Sequence, residues 1–123
     1  MTMSIFRMAL IVVILAATMA YAGEADVIGV KVKEKGENLF YFSVSVYHDD
    51  EGWDHYADKW DVVAPNGTVL GTRILHHPHV NEQPFTRSLS GVKIPDTIET
   101  VTIRAHDSVH GYGGKTVAVE VPR

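Results

Sequence analysis

Seven histidines stand in this chain, at positions 48, 55, 76, 77, 79, 106 and 110, and it contains no cysteine. A neutral imidazole nitrogen is a good ligand for Cu, Zn, Ni or Fe, whereas a structural thiolate site or a blue-copper centre requires cysteine. The chemistry on offer is therefore a histidine-based Cu(II) or Zn(II) site. Within His77-Pro78-His79, residues two apart in an extended chain point the same way, so both rings can chelate one ion. His106 and His110 are four apart and converge only if Asp107-Ser108-Val109 turns back.

Other constellations lie close by. Asp49, Asp50, Glu51, Asp54 and Asp58 form an acidic stretch without the Asp-x-Asp-x-Asp-Gly spacing of a calcium loop, which reads as a solvated loop. Asp107, Ser108 and His110 are residue types of a serine nucleophile system, but one short loop does not set up its sequential hydrogen bonds, and no catalytic set is assigned. Gly111-Tyr112-Gly113-Gly114 has no helix amino terminus after it to hold an anion and reads as a flexible turn. Trp53, Tyr56 and Tyr112 carry the rival reading, a metal-independent module that binds a protein or a small ligand through loop aromatics.

The elements that must position these groups are strands. Beyond the first residues there is no sustained 3.6-residue apolar period, and short runs rich in Val, Ile, Phe, Tyr and Thr recur between turn signals. Strands are expected at 27–33, 39–48, 59–64, 68–75, 86–94, 99–106 and 115–121, with Asn66-Gly67 supplying a tight hairpin turn. Seven antiparallel strands of this kind predict an all-β, immunoglobulin- or fibronectin-like sandwich with Trp60 in its core, although alternation is equally compatible with a small barrel.

Antiparallel strands alternate their connections between two poles. Counting along the chain puts all seven histidines at one pole, on loops longer than a hairpin needs. His48 continues the inward line of Phe40, Phe42, Val44 and Val46. Asp107 continues that of Val101, Ile103 and Ala105, from where it could orient a ligating imidazole. The expected ligands are His48, His77, His79, His106 and His110, and His55, inside Gly52-Trp53-Asp54-His55-Tyr56, is expected at the surface.

The first residues carry Arg7, an apolar run from Met8 to Ala17 and the small-x-small triplet Ala20-Tyr21-Ala22. That is the pattern of a signal peptide over 1–22, shorter than the roughly 20 apolar residues a membrane span needs, so 23–123 is expected to be one exported domain, periplasmic or secreted. Without cysteine, neither a lipid-modified amino terminus nor a disulfide framework is expected. Eleven basic against fifteen acidic residues, with no basic stripe, argue against nucleic acid or a membrane surface as partner. The segments HPHVNEQPFTRS, from His77 to Ser88, and HDSVHGYGGK, from His106 to Lys115, resemble those of small exported bacterial proteins of uncharacterised activity. That resemblance implies an immunoglobulin-like sandwich and the periplasm, and no reaction.

Overall fold

The computed structural model describes residues 23–123; the expected signal peptide, 1–22, lies outside the described residues. Eight strands follow in order: β1 (Asp26–Gly36), β2 (Leu39–Tyr47), β3 (Ala57–Val63), β4 (Val69–Ile74), β5 (Phe85–Lys93), β6 (Thr100–Asp107), β7 (Gly111–Tyr112) and β8 (Val117–Glu120). Seven match the expected strands to within a few residues. The addition is β7, a two-residue strand that pairs His106 with Tyr112 and Asp107 with Gly111.

The strands form two antiparallel sheets. One has the order β1-β2-β5, and the other has β4-β3-β6-β7 with β8 also paired to β6. The ladders stay within these two sheets, which makes the fold a sandwich rather than a barrel. The pleat explains the core: on β2, Phe40, Phe42, Val44 and Val46 are fully buried while the residues between them are not. They meet Trp60, Val62, Val101, Ile103 and Ala105 from the facing sheet, so each sheet covers the apolar side of the other. Trp60 is fully buried, as expected. Where β4 faces β5, a Cβ on Gly71 would sit 3.1 Å from Leu89 and 3.3 Å from Val92, so only glycine lets the two sheets approach there without adjustment.

Asp61, next to Trp60, points out of the opposite side of the sheet and is nevertheless buried. Its carboxylate accepts hydrogen bonds from the hydroxyls of Tyr112 (2.6 Å) and Thr72 (2.7 Å) and from Nε of Arg104 (3.1 Å), tying β3 to its neighbours on both sides. The Arg104 guanidinium also lies 3.9 Å from the centre of the Tyr112 ring. Burial alone would raise the Asp61 carboxyl, but these three donors outweigh it and hold it below its ordinary value.

The β2–β3, β4–β5 and β6–β7 connections share one pole of the sandwich, and every histidine lies on them or on the strand ends beside them. At this pole the inward lines of β2 and β6 run past the last apolar side chains, Val46 and Ala105, to His48 and Asp107.

Candidate metal centre

His48 lies one residue beyond β2 and Asp107 ends β6; both keep the inward phase of their strands and are almost completely buried. Between them sits His55, from the β2–β3 loop, only 8% exposed. It is not the surface residue the sequence suggests. The loop closes on itself through hydrogen bonds from Glu51 N to His55 O (2.8 Å) and from His55 N to Gly52 O (3.2 Å), which turns the His55 ring inward. Gly52 makes that turn with a φ of 103°, in the left-handed region that favours glycine.

Three donor atoms converge. His48 Nε2 lies 3.2 Å from His55 Nε2, His55 Nε2 lies 2.9 Å from Asp107 Oδ2, and His48 Nε2 lies 3.9 Å from the same oxygen. Those three edges define a circle of radius about 2.0 Å, so a point at ordinary metal–imidazole distance from all three atoms exists at its centre. Among the described residues this trio is the group of His, Asp or Glu side chains that could hold a metal ion.

Carboxylates on the far side of each imidazole set its direction. His48 Nδ1 donates to Asp50 Oδ1 at 2.6 Å, and His55 Nδ1 donates to Glu51 Oε1 at 2.8 Å. A neutral imidazole with its hydrogen on Nδ1 presents a lone pair at Nε2, so both rings offer a ligating nitrogen to the centre. Asp50 is itself fixed by the backbone N–H groups of His79 (2.6 Å) and Ala57 (3.0 Å). Burial by itself would raise the Asp50 carboxyl, yet the hydrogen bonds from His48 and these N–H groups hold it below its usual value. For His48 burial favours the neutral ring, but the carboxylates of Asp50 and Asp107 prevail and raise it. Burial opposes ionisation of Asp107 as well, and the N–H groups of His110 and Val109 together with the His110 ring outweigh it, so its carboxyl is lowered. Asp107 Oδ1 is buried and has no hydrogen-bond partner among the described residues.

The five histidines expected from the sequence occupy different places. His48 is in the cluster. His110 borders it, with Nδ1 3.1 Å from Asp107 Oδ2 and its ring 4.9 Å from that of His55. His79 is one step removed: it is buried against Phe85 in a stacked pair at 4.0 Å, and it supports Asp50 through its backbone. His77 is exposed, with its ring 4.8 Å from that of His79, as the shared side of the His-Pro-His segment implies. His106 takes the outward phase of β6, where Nδ1 donates to Asp58 Oδ1 at 2.6 Å. The same alternation that brings Asp107 in turns His106 out.

Gln83 joins this pole without any sequence signal. Its Oε1 accepts from His48 N (3.0 Å) and its Nε2 donates to His79 O (2.9 Å), so it staples the β4–β5 loop to the end of β2.

No family model matches the chain, and no solved structure matches it. Over 97 residues, 79% of this chain, it is 43% identical to a protein of Halomicrobium mukohataei named "Putative lipoprotein". The chain spans about half the length of that curated relative, 47%. The relative's name points to lipid attachment for that protein and states no reaction.

Proposed function

We propose that this chain is an exported protein with an immunoglobulin-like sandwich that binds one transition-metal ion, Cu(II) or Zn(II), at His48, His55 and Asp107, with His110 able to swing in as a further ligand. The observation that carries the reading is the convergence of two Nε2 atoms and a carboxylate oxygen, at 2.9 to 3.9 Å from one another, with each imidazole already bonded at Nδ1. In buried surroundings three electron-pair donors facing one point repel one another, and a divalent cation at that point turns the repulsion into attraction. The unpartnered Asp107 Oδ1 leaves the carboxylate free to bind through either oxygen.

Donor type narrows the ion. Two imidazoles and a carboxylate suit Zn(II) and Cu(II). His48, His55 and Asp107 would hold the ion, and the 3.9 Å between His48 Nε2 and Asp107 Oδ2, wider than a tetrahedral pair of donors, suits the tetragonal preference of Cu(II) better than the tetrahedral one of Zn(II). Support for export comes from the leader-like residues 1–22 and from the lipoprotein name of the relative. Periplasmic or secreted is the location this reading assigns to the chain.

The deciding experiment is calorimetric titration of the exported protein with Cu(II) and Zn(II), repeated on His48→Ala and His55→Ala. One equivalent bound by the unaltered protein and lost in both variants is the expected result. Binding no tighter than millimolar would end the metal reading. The aromatic-surface alternative keeps one observation in its favour: Trp53, 67% exposed, packs edge to face on Tyr56 at 5.7 Å, whereas Tyr112 is held back by Asp61. It predicts a partner retained after chelation and lost in Trp53→Ala with Tyr56→Ala.

A further inference from the structure

We infer that the backbone carbonyl of Gly23 is a ligand of the same ion, so that the segment 23–27 forms a wall of the centre; the inference rests on the metal reading above. Gly23 O lies 2.8 Å from His48 Nε2. In the protonated ring Nδ1–H is given to Asp50 and Nε2–H to this carbonyl, so an ion that takes the place of the Nε2 hydrogen meets the carbonyl lone pairs. Two donors that share a metal at about 2.0 Å and at right angles are about 2.8 Å apart, and a backbone carbonyl is an accepted oxygen donor beside imidazole and carboxylate. Gly23 O therefore adds a second oxygen to the set, adjacent to His48.

A separate observation shows that the segment is held in place. Val27 N donates to Lys115 O (2.9 Å), Lys115 N donates to Asp26 Oδ1 (2.7 Å), and Ala25 is buried. Under it run Gly113 and Gly114. A Cβ on Gly113 would come within 2.7 Å of the Glu24 side chain, and one on Gly114 would collide with the Ala25 carbonyl oxygen. The diglycine that reads as a flexible turn is thus a flat track, and its lack of side chains lets residues 23–27 lie close enough for Gly23 to reach His48. The β7–β8 connection and the amino-terminal segment act together on the centre although neither carries a ligating side chain there.

Two measurements test this. In protein labelled with 13C at glycine carbonyls, titration with Zn(II) moves the Gly23 signal in step with one equivalent and by far more than the other glycine carbonyls. Gly114→Ala, which displaces the segment, lowers Zn(II) and Cu(II) affinity about 10- to 100-fold while one ion still binds, the range found when a group that braces a ligand is lost. If His48→Ala and His55→Ala abolish binding but the Gly23 carbonyl does not move and Gly114→Ala binds as tightly as the unaltered protein, the Gly23 ligand is wrong and the side-chain centre stands. If His48→Ala and His55→Ala leave binding unchanged, both fall. Because the carbonyl measurement uses the unaltered chain, it decides the matter even where Gly114→Ala fails to fold.

Discussion

His48 and His55 present their Nε2 atoms to each other at 3.2 Å, each with its Nδ1 hydrogen given to a different carboxylate. Two residues seven apart in sequence reach this arrangement because one continues a strand's inward phase and the other is returned by a loop closed on itself. His55 therefore ranks with His48 in the chemistry of the pole, and His106, paired with Asp58 on the outside of the sheet, does not. Replacing His55 by Ala is expected to weaken Zn(II) and Cu(II) binding by at least ~100-fold, and replacing His106 by Ala to change it by less than ~3-fold. Parallel titrations of the two variants read the difference directly. Equal losses would mean that the ion sits elsewhere.

The carboxylates behind the imidazoles differ in burial, and their contributions should differ accordingly. Asp50 is buried and joins His48, His79 and Ala57, whereas the Glu51 side chain is 55% exposed and accepts a hydrogen bond from the ring of His55. Asp50→Asn keeps the shape but weakens the hold on His48, and metal affinity is expected to fall about 10- to 100-fold. It should also cost about 1 to 3 kcal/mol of stability in the metal-free protein, because a charged acceptor of three hydrogen bonds becomes neutral. Glu51→Gln should fall short of both effects. Denaturant unfolding without metal, beside titration with it, separates the two contributions.

The strands were legible because this fold announces itself by alternation: Phe40 to Val46 and Val101 to Ala105 state their inward faces in the sequence, and those lines lead to His48 and Asp107 without any tertiary information. Counting strands put every histidine at the right pole for the same reason. What alternation does not reach is a loop. His55 looked exposed among Trp53, Asp54 and Tyr56, and only the backbone bonds between Glu51, Gly52 and His55 turn it inward. His106 takes the outward phase of β6, which its alternation with Ala105 and Asp107 implies, while its spacing from His110 suggests convergence. Gln83 and the Gly113-Gly114 track depend on which loops meet, a relation between residues 35 and about 90 positions apart.

Asp61 tests whether a polar cluster away from the histidine pole stabilises the sheet. Its folded carboxyl is lowered despite burial, because Tyr112, Thr72 and Arg104 all bond to the ionised form. A lowered carboxyl contributes stability that is present above its unfolded value, about 3.9, and is lost as pH falls through the folded one. Asp61→Asn should therefore cost about 1 to 3 kcal/mol at pH 7, and the gap to the unaltered protein should close as the pH is taken below 4. Chemical denaturation at pH 7, 5 and 3 measures it. A gap that stays constant with pH would show that the cost is one of packing.

An ion at the proposed centre would compete with protonation for His48. Burial opposes its charge, but Asp50 and Asp107 raise it above 6.5, so in the metal-free protein the imidazolium persists to higher pH than in an exposed histidine. A raised histidine contributes stability that is complete below its unfolded value and is lost as pH rises through the folded one. The metal-free network is thus favoured on the mildly acidic side, until the contribution of Asp50 and Asp107 is lost as pH falls from the ordinary carboxylate value, about 3.9, through their lowered ones. An ion reverses this, because ligation needs the neutral ring and displaces the proton. Below the raised value, apparent affinity is expected to fall about tenfold per pH unit for each proton displaced. The rise in melting temperature on adding one equivalent of Zn(II) should accordingly be small near pH 5.5 and grow through pH 8. Thermal melts with and without Zn(II) across that range measure it, and a metal-induced rise that does not change with pH would exclude His48 as a ligand.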